Sequence, residues 1–352
     1  MARLLIVDDS PYYRLRFSKL FARSALTVVG LADDGDVAIK EIARLEPDVV
    51  TLDLLMPRLD GFSVLRWAMQ NHPVPIVVCS SFADRDRILK ALELGAVDFV
   101  LKPAPNTTGK LLVDEERIIE RVEEAAGAKL PGQPLESAER AATRLMAEQQ
   151  GYPVDVELIC IAASTGGPAA IQHIIRSLPR TMSTPIVISQ HMPAGFTGPF
   201  AARLNGLSHY RVVEGVGAQP IRDRSVYIAP GGLETRIVRA GAQLLLSIQP
   251  PLNDSVQTPS ADALLGSAAE CCGGSALAII LSGMGDDGTA GARMVKAGGG
   301  HVLAESSESA LVFGMPRSVI EAGQADAVLA LWDLPPVVAA YSMKRSLTNR
   351  EG

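Results

Sequence analysis

Ser164 sits at the tip of a turn suited to presenting a hydroxyl group. The apolar run Ile159-Cys160-Ile161-Ala162-Ala163 ends in Ser164-Thr165-Gly166-Gly167-Pro168, where a helical pattern begins. Proline is tolerated in the first helical turn because its missing N–H has no partner there. Two glycines allow a sharp turn and bring backbone N–H groups close to a ligand. Together they describe a nucleophile lifted above a sheet edge, beside donors able to hold an oxyanion. Strand, glycine turn and helix also cradle phosphate in nucleotide folds, but no Walker lysine follows and no G-x-G-x-x-G spacing is present.

Two downstream segments offer partners for such a serine. Ile186-Val187-Ile188-Ser189-Gln190-His191-Met192-Pro193 is a second apolar strand ending in polar residues. Ligands of open α/β sheets bind outside the carboxyl ends of strands, so Ser164 and His191 are expected to share a crevice. His72, His173, His209 and His301 lack that placement and read as ordinary structural histidines. Leu277-Ala278-Ile279-Ile280-Leu281-Ser282-Gly283-Met284-Gly285-Asp286-Asp287-Gly288 is a third such strand, with a helix expected over 289–297. One of its carboxylates can accept the histidine Nδ1–H, fixing the tautomer and supporting the imidazolium. Either acid would also suit a helix N-terminus, and position alone does not choose between Asp286 and Asp287. Backbone N–H groups at Thr165, Gly166 and Met284 are the oxyanion candidates.

The N-terminal half places chemistry at strand ends too. Leu4-Leu5-Ile6-Val7 ends in Asp8-Asp9, Val49-Val50-Thr51-Leu52 in Asp53, Ile76-Val77-Val78-Cys79 in Ser80-Ser81, and Phe99-Val100-Leu101 in Lys102-Pro103. Asp8, Asp9 and Asp53 converging with Lys102 would repel one another unless a cation intervenes. A hard divalent ion with oxygen ligands, Mg²⁺, is the expected occupant.

The elements that must position these groups are strands alternating with helices, the latter over 11–24, 35–45, 61–70 and 84–94 in the first half. That alternation, with strands reading as continuous apolar runs, predicts parallel, doubly wound α/β sheets. A chain of 352 residues exceeds one comfortable core. The stretch 123–148 is rich in Ala, Glu, Arg and Gln and is broken by Pro131-Gly132-Gln133-Pro134. We expect a first domain over 1–122, a linker over 123–155 with a helical piece at 136–148, and a second domain over 156–345. The net charge of −6, with no basic stripe, argues against a nucleic-acid partner. No run approaches the ~20 apolar residues of a membrane span and no signal peptide is evident, so a cytoplasmic location without membrane insertion is expected. Four cysteines without metal spacing predict neither zinc nor disulfides.

The blocks Ala163-Ser164-Thr165-Gly166-Gly167-Pro168, Gln190-His191-Met192-Pro193 with Phe196-Thr197, Tyr227-Ile228-Ala229-Pro230-Gly231-Gly232, Ser282-Gly283-Met284-Gly285 and Val312-Phe313-Gly314-Met315-Pro316-Arg317 together resemble the chemotaxis receptor methylesterases, the CheB family. The resemblance implies Ser164 as nucleophile, His191 as base and Asp287, rather than Asp286, as the acid. It implies demethylation of glutamate γ-methyl esters on a methyl-accepting chemoreceptor, with methanol released and no esterase cofactor; glutamine deamidation by the same nucleophile stays open. Three departures from the family pattern stand out: Glu234 where a histidine is common, the segment 213–217, and Ala162 in place of glycine.

Residues 1–122 resemble a response-regulator receiver, which implies a flavodoxin-like five-stranded parallel sheet of order 2-1-3-4-5. Carried over, Asp53 is the phosphoacceptor, Asp8 and Asp9 hold Mg²⁺ with it, Ser80 and Lys102 contact the phosphoryl group, and Phe99 is the aromatic switch. The Lys102–Pro103 bond is expected to be cis. A chemotaxis histidine kinase would be the phosphodonor, and the unphosphorylated receiver would restrain the esterase by covering its cleft. Two other readings stay open from sequence: a phosphorylation-controlled receptor-binding module, and an esterase acting on an acyl substrate outside chemotaxis.

Overall fold

The apolar runs that end in polar residues become the central strands of two parallel sheets. The computed structural model describes residues 1–81, 84–103, 111–130, 156–251 and 258–342, without the side chains of 111–114. The helical piece expected at 136–148 lies outside the described residues. Two units, Met1–Leu130 and Pro131–Gly352, divide the chain.

The first unit runs β1 (Ala2–Val7), α1 (Pro11–Phe21), β2 (Leu26–Ala32), α2 (Gly35–Leu45), β3 (Val49–Leu52), α3 (Gly61–Asn71), β4 (Ile76–Ser80), α4 (Arg85–Glu93), β5 (Asp98–Leu101) and α5 (Leu111–Ala126). Its strands pair in the order β2-β1-β3-β4-β5, all parallel, as expected. Leu4, Leu5, Ile6, Val49 and Val50 are wholly buried, which is why those strands read as unbroken apolar runs. β2 lies at the sheet edge and is only partly covered, so its sequence carries no such run. Asp34 and Asp60 accept the Val37 and Ser63 N–H groups and start α2 and α3 as side-chain caps. α1 stops at Phe21, short of the expected residue 24, with the Ser24 hydroxyl donating to the Phe21 carbonyl. α5 continues to Ala126, past the boundary placed at 122, because Val122 and Ala125 pack into the same core as Phe17 and Phe21.

The second unit contains β6 (Leu158–Ala163), α6 (Gly167–Ser177), β7 (Ile186–Gln190), α7 (Thr197–Leu207), β8 (Arg211–Glu214), β9 (Gln219–Pro220), β10 (Ser225–Ile228), β11 (Glu234–Ala240), β12 (Gln243–Gln249), α8 (Ala261–Cys272), β13 (Ala276–Ile280), α9 (Thr289–Ala297), β14 (His301–Glu305), α10 (Met315–Glu321), β15 (Ala327–Leu329) and α11 (Leu334–Ser342). Seven strands form one sheet in the order β15-β14-β13-β6-β7-β10-β8, every pair parallel. A separate antiparallel sheet, β11-β12-β9, joins this doubly wound core and was not anticipated from the sequence. The chain leaves β6 toward β7 on one side and later adds β13 on the other. β6 is therefore a topological switch point, where a crevice opens at the carboxyl edge. Among the described residues no helix is long and apolar enough to cross a membrane.

Candidate active site

Strand adjacency brings the three expected loops together. β13, β6 and β7 are consecutive in the sheet, and Asp287, Ser164 and His191 lie just beyond their carboxyl ends. Ser164 is 5% exposed and His191 2% exposed. Its backbone fixes Ser164 on both sides: its N–H donates to the Ser282 carbonyl at 3.0 Å, and its carbonyl accepts the Gly167 N–H at 2.8 Å. Gly166 takes φ +79° at the start of α6, a conformation open to glycine at little cost. Gly167 is required by contact, since a Cβ there would fall 2.1 Å from Gln190 Oε1.

His191 continues the β7 ladder through its N–H, which donates to the Ala163 carbonyl at 3.0 Å. Its Nε2 lies 2.7 Å from Asp287 Oδ2. The carboxylate therefore meets the ring at Nε2, correcting the expectation that it would accept from Nδ1. The reason lies in how Asp287 is held. Its Oδ2 accepts the Ala261 N–H at 2.8 Å and its Oδ1 the Asp262 N–H at 2.9 Å, with the Ser260 hydroxyl at 3.3 Å. The carboxylate thus sits on the N-terminus of α8, whose dipole favours negative charge, and reaches the imidazole from that side. Burial alone would raise the Asp287 carboxyl, but His191 and the two N–H donors outweigh it and hold the group below its ordinary value.

Residues not singled out from sequence complete the site. The Gln190 side-chain amide donates to the Ser164 carbonyl at 2.9 Å and to the His191 carbonyl at 3.3 Å, tying two of the loops together. Asp262 Oδ1 accepts the Gly288 and Gly291 N–H groups at 2.9 and 2.7 Å, anchoring the loop that carries Asp287. Glu305, buried at the end of β14, accepts the Ser282 N–H. The sign that located Ser164 and His191, an apolar strand ending in a polar residue, was also present at Val302-Leu303-Ala304-Glu305.

Of the oxyanion candidates, Thr165 is buried and Gly166 follows it in the same turn, whereas Met284 is 48% exposed in the loop leading to Asp287. Two departures from the family pattern have structural partners. Thr197 donates its hydroxyl to Glu214 Oε1 at 2.5 Å and accepts the Gly231 N–H at 3.0 Å, so Glu214 braces the loop after β10. Glu234 opens β11 and pairs with Arg236 at 2.6 Å.

In the first unit, one oxygen from each of Asp8, Asp9 and Asp53 lies within 4.8 Å of the others. Lys102 Nζ reaches Asp53 Oδ2 at 2.7 Å and Asp8 Oδ2 at 2.8 Å. Burial raises the Asp8 and Asp53 carboxyls above their ordinary range despite the lysine. Burial would depress the Lys102 ammonium, but its two carboxylate partners raise it overall. Ser80 is buried and donates to Asp84 at 3.3 Å, and Phe99 is buried in β5. The Lys102–Pro103 bond is not cis; among the described residues only Thr258–Pro259 is. Beyond β5 the Lys102 N–H donates to the Ser80 carbonyl and the Pro103 carbonyl accepts the Tyr13 hydroxyl.

A family model described as CheB methylesterase matches residues 159–338, and one described as response regulator receiver domain matches residues 4–114. A Geobacter sulfurreducens protein named protein-glutamate methylesterase/protein-glutamine glutaminase 3 is 39% identical over 351 residues, covering 94% of each chain. A Bacillus licheniformis protein named protein-glutamate methylesterase/protein-glutamine glutaminase is 37% identical over 354 residues, covering 98% of this chain and 99% of the relative. The crystal structure of the Thermotoga maritima CheB methylesterase catalytic domain matches with a TM-score of 0.51 and 39% identity, over 53% of this chain and 99% of that one.

Proposed function

The chain belongs to the CheB methylesterase family, with a receiver domain ahead of its esterase domain, and on that footing we propose that it is a phosphorylation-controlled serine hydrolase that demethylates glutamate γ-methyl esters on chemoreceptors. The observation that carries the reading is the junction of three distant loops: Ser164 beyond β6, His191 beyond β7, and Asp287 held 2.7 Å from His191 Nε2.

Ser164 Oγ attacks the side-chain carbonyl of the ester. With Nε2 facing Asp287, Nδ1 is the nitrogen that takes the serine proton and returns it to the departing methoxide. Asp287 holds the imidazole in that tautomer and supports its positive charge. Thr165, Gly166 and Met284 N–H groups receive the developing oxyanion, each such donor being worth roughly 3–4 kcal/mol. Methanol leaves, water attacks the acyl-enzyme through the same histidine, and a glutamate carboxylate is restored. Deamidation of a receptor glutamine needs the same nucleophile, with ammonia leaving instead, and both relatives described above carry that second activity in their names.

In the receiver, Asp53 is the phosphoacceptor and Lys102 and Ser80 engage the phosphoryl group, with Phe99 as the aromatic switch. The donor set fits a hard divalent cation: three carboxylates offer oxygens within 4.8 Å of one another. Asp8, Asp9 and Asp53 would hold Mg²⁺, which supplies positive charge between these acids and an incoming phosphoryl group. A histidine kinase of the chemotaxis system supplies the phosphate in the cytoplasm, and the unphosphorylated receiver restrains the hydrolase.

Methanol release from methylated receptor, set beside hydrolysis of small generic esters, tests the reading. Ser164→Ala should abolish release; release undiminished by that change would move the nucleophile elsewhere, no release by the wild type would leave only a receptor-binding role, and preference for generic esters would point to another substrate.

A further inference from the structure

Glu305 ends β14, two strands from the nucleophile-bearing β6, and is 1% exposed. Its two oxygens have separate partners. Oε2 accepts the Ser282 N–H at 2.8 Å and Oε1 accepts the Ser309 hydroxyl at 2.9 Å. Ser309 Oγ itself accepts the Leu331 N–H at 2.8 Å, which ties the carboxyl to the segment after β15. Ser282 is the hub on the other side. Its carbonyl accepts the Ser164 N–H at 3.0 Å, its hydroxyl donates to the Thr165 carbonyl at 2.8 Å, and that hydroxyl also accepts the Val312 N–H at 3.0 Å.

We propose that Glu305 is a positioning residue for Ser164: its carboxylate fixes the Ser282 peptide, which in turn holds the backbone of the nucleophile turn on two sides. The inference rests on the reading of Ser164 as nucleophile.

Among the described residues no cation pairs with Glu305. A buried, unpaired carboxylate is costly, and an amide or apolar residue would fill the space without that penalty. The ionised form does something those replacements do not. Both of its hydrogen bonds are charge-assisted, and such bonds are the strong ones. Protonation leaves one good acceptor oxygen and obliges Ser309, whose proton points at Oε1, to turn away. Burial pushes this carboxyl up to about 7, while the Ser282 N–H and the Ser309 hydroxyl pull it down. The charge that secures the turn therefore changes in the neutral range.

The ionisable side chains on the surrounding elements do not account for this. β13 and β15 have none, and Glu308, Arg317 and Glu321 are exposed. Asp333 follows β15, the Asp286–Asp287 pair and His191 belong to the catalytic loops, and His301, Lys296 and Asp326 gather at the opposite end of β14. The carboxyl responds to burial and its two donors, and to no charged group.

The test is the pH profile of kcat for methanol release by the full chain, with the wild type, Glu305→Gln and Ser309→Ala compared. Glu305→Gln should lower kcat above pH 7 by roughly tenfold, the effect of losing one charge-assisted bond, leave KM unchanged, and remove one ionisation from the profile. Ser309→Ala keeps the acid but takes away a donor to its charged form, so that ionisation should move to higher pH. It carries the test alone if Glu305→Gln does not fold. A Glu305→Gln profile superimposable on the wild type, a uniform loss that retains the ionisation, or an ionisation unmoved by Ser309→Ala would overturn the proposal. Ser164→Ala run alongside separates the two claims, because release surviving in that variant removes the nucleophile reading itself.

Discussion

Asp262 and Asp287 cap each other's helices. Asp287 accepts the Ala261 and Asp262 N–H groups at the start of α8, and Asp262 accepts the Gly288 and Gly291 N–H groups at the start of α9. Each acid thereby fixes the loop that carries the other, and the pair sets where the carboxylate meets His191. Burial, with the Asp287 charge adding to it, raises the Asp262 carboxyl against the pull of those N–H donors.

Asp262→Ala should therefore affect catalysis from outside the triad. Loss of a cap costs about 1 kcal/mol of stability, and displacement of Asp287 should lower kcat by roughly tenfold. Asp262→Asn, which keeps an acceptor oxygen, should recover most of both losses. Steady-state methanol release and thermal unfolding check this; equal kcat for the alanine and wild-type forms would remove Asp262 from the account.

The ring orientation of His191 is a second expected outcome. Asp287 at Nε2 requires the neutral imidazole to carry its proton there and leave Nδ1 as the base. Nitrogen-15 NMR of histidine-labelled protein should report the Nε2–H tautomer for this residue. Asp287→Asn should disturb the tautomer and reduce kcat by roughly a thousandfold or more. An Nδ1–H tautomer in the wild type would contradict the assigned roles.

Glu305 also predicts a pH-dependent stability. Its folded value of about 7 lies above the ordinary 4.5, so between those values the folded chain holds a proton that the unfolded chain has released. Stability then falls as pH rises from about 4.5 through 7, by up to about 3 kcal/mol for this group. Calorimetry of the hydrolase unfolding transition should show that decline in the wild type and a shallower one in Glu305→Gln. Parallel slopes for the two proteins would show that the carboxyl does not titrate as described.

Much of this site was legible because buried parallel strands announce themselves. β6, β7 and β13 read as apolar runs whose first polar residue marks the carboxyl edge, and Ser164, His191 and the Asp286–Asp287 pair fell out of that sign. The helix expected over 289–297 is α9, with those bounds. Partial burial hid other elements. β2, at the sheet edge, has only its two end residues buried, and the β11–β12 hairpin turns at Gly241 with Arg236 and Arg239 among its outward residues, so neither forms a continuous apolar run. The choice of ring nitrogen depends on Asp287 being pinned to α8, a contact across 26 residues that no local pattern encodes. Glu305 carried the strand-end sign, but its role depends on a partner, Ser282, that only the β13–β14 pairing supplies.

The receiver predicts a separation of control from chemistry. Asp53→Asn, or chelation of divalent metal, should prevent stimulation by a small-molecule phosphodonor while basal methanol release persists, since the esterase residues involve no metal in this account. Removal of residues 1–150 should raise basal release. A truncated enzyme no faster than the resting full-length chain would contradict restraint by the receiver, and stimulation surviving Asp53→Asn would move the phosphoacceptor elsewhere.

A serine-directed fluorophosphonate reports whether Ser164 forms the acyl-enzyme. Mass spectrometry of the labelled full chain should find one adduct, on Ser164, whose extent matches the loss of methanol release from methylated receptor, with His191→Ala slowing both in parallel. An adduct on another residue, or full methanol release from protein whose Ser164 is quantitatively modified, would show that Ser164 is not the nucleophile.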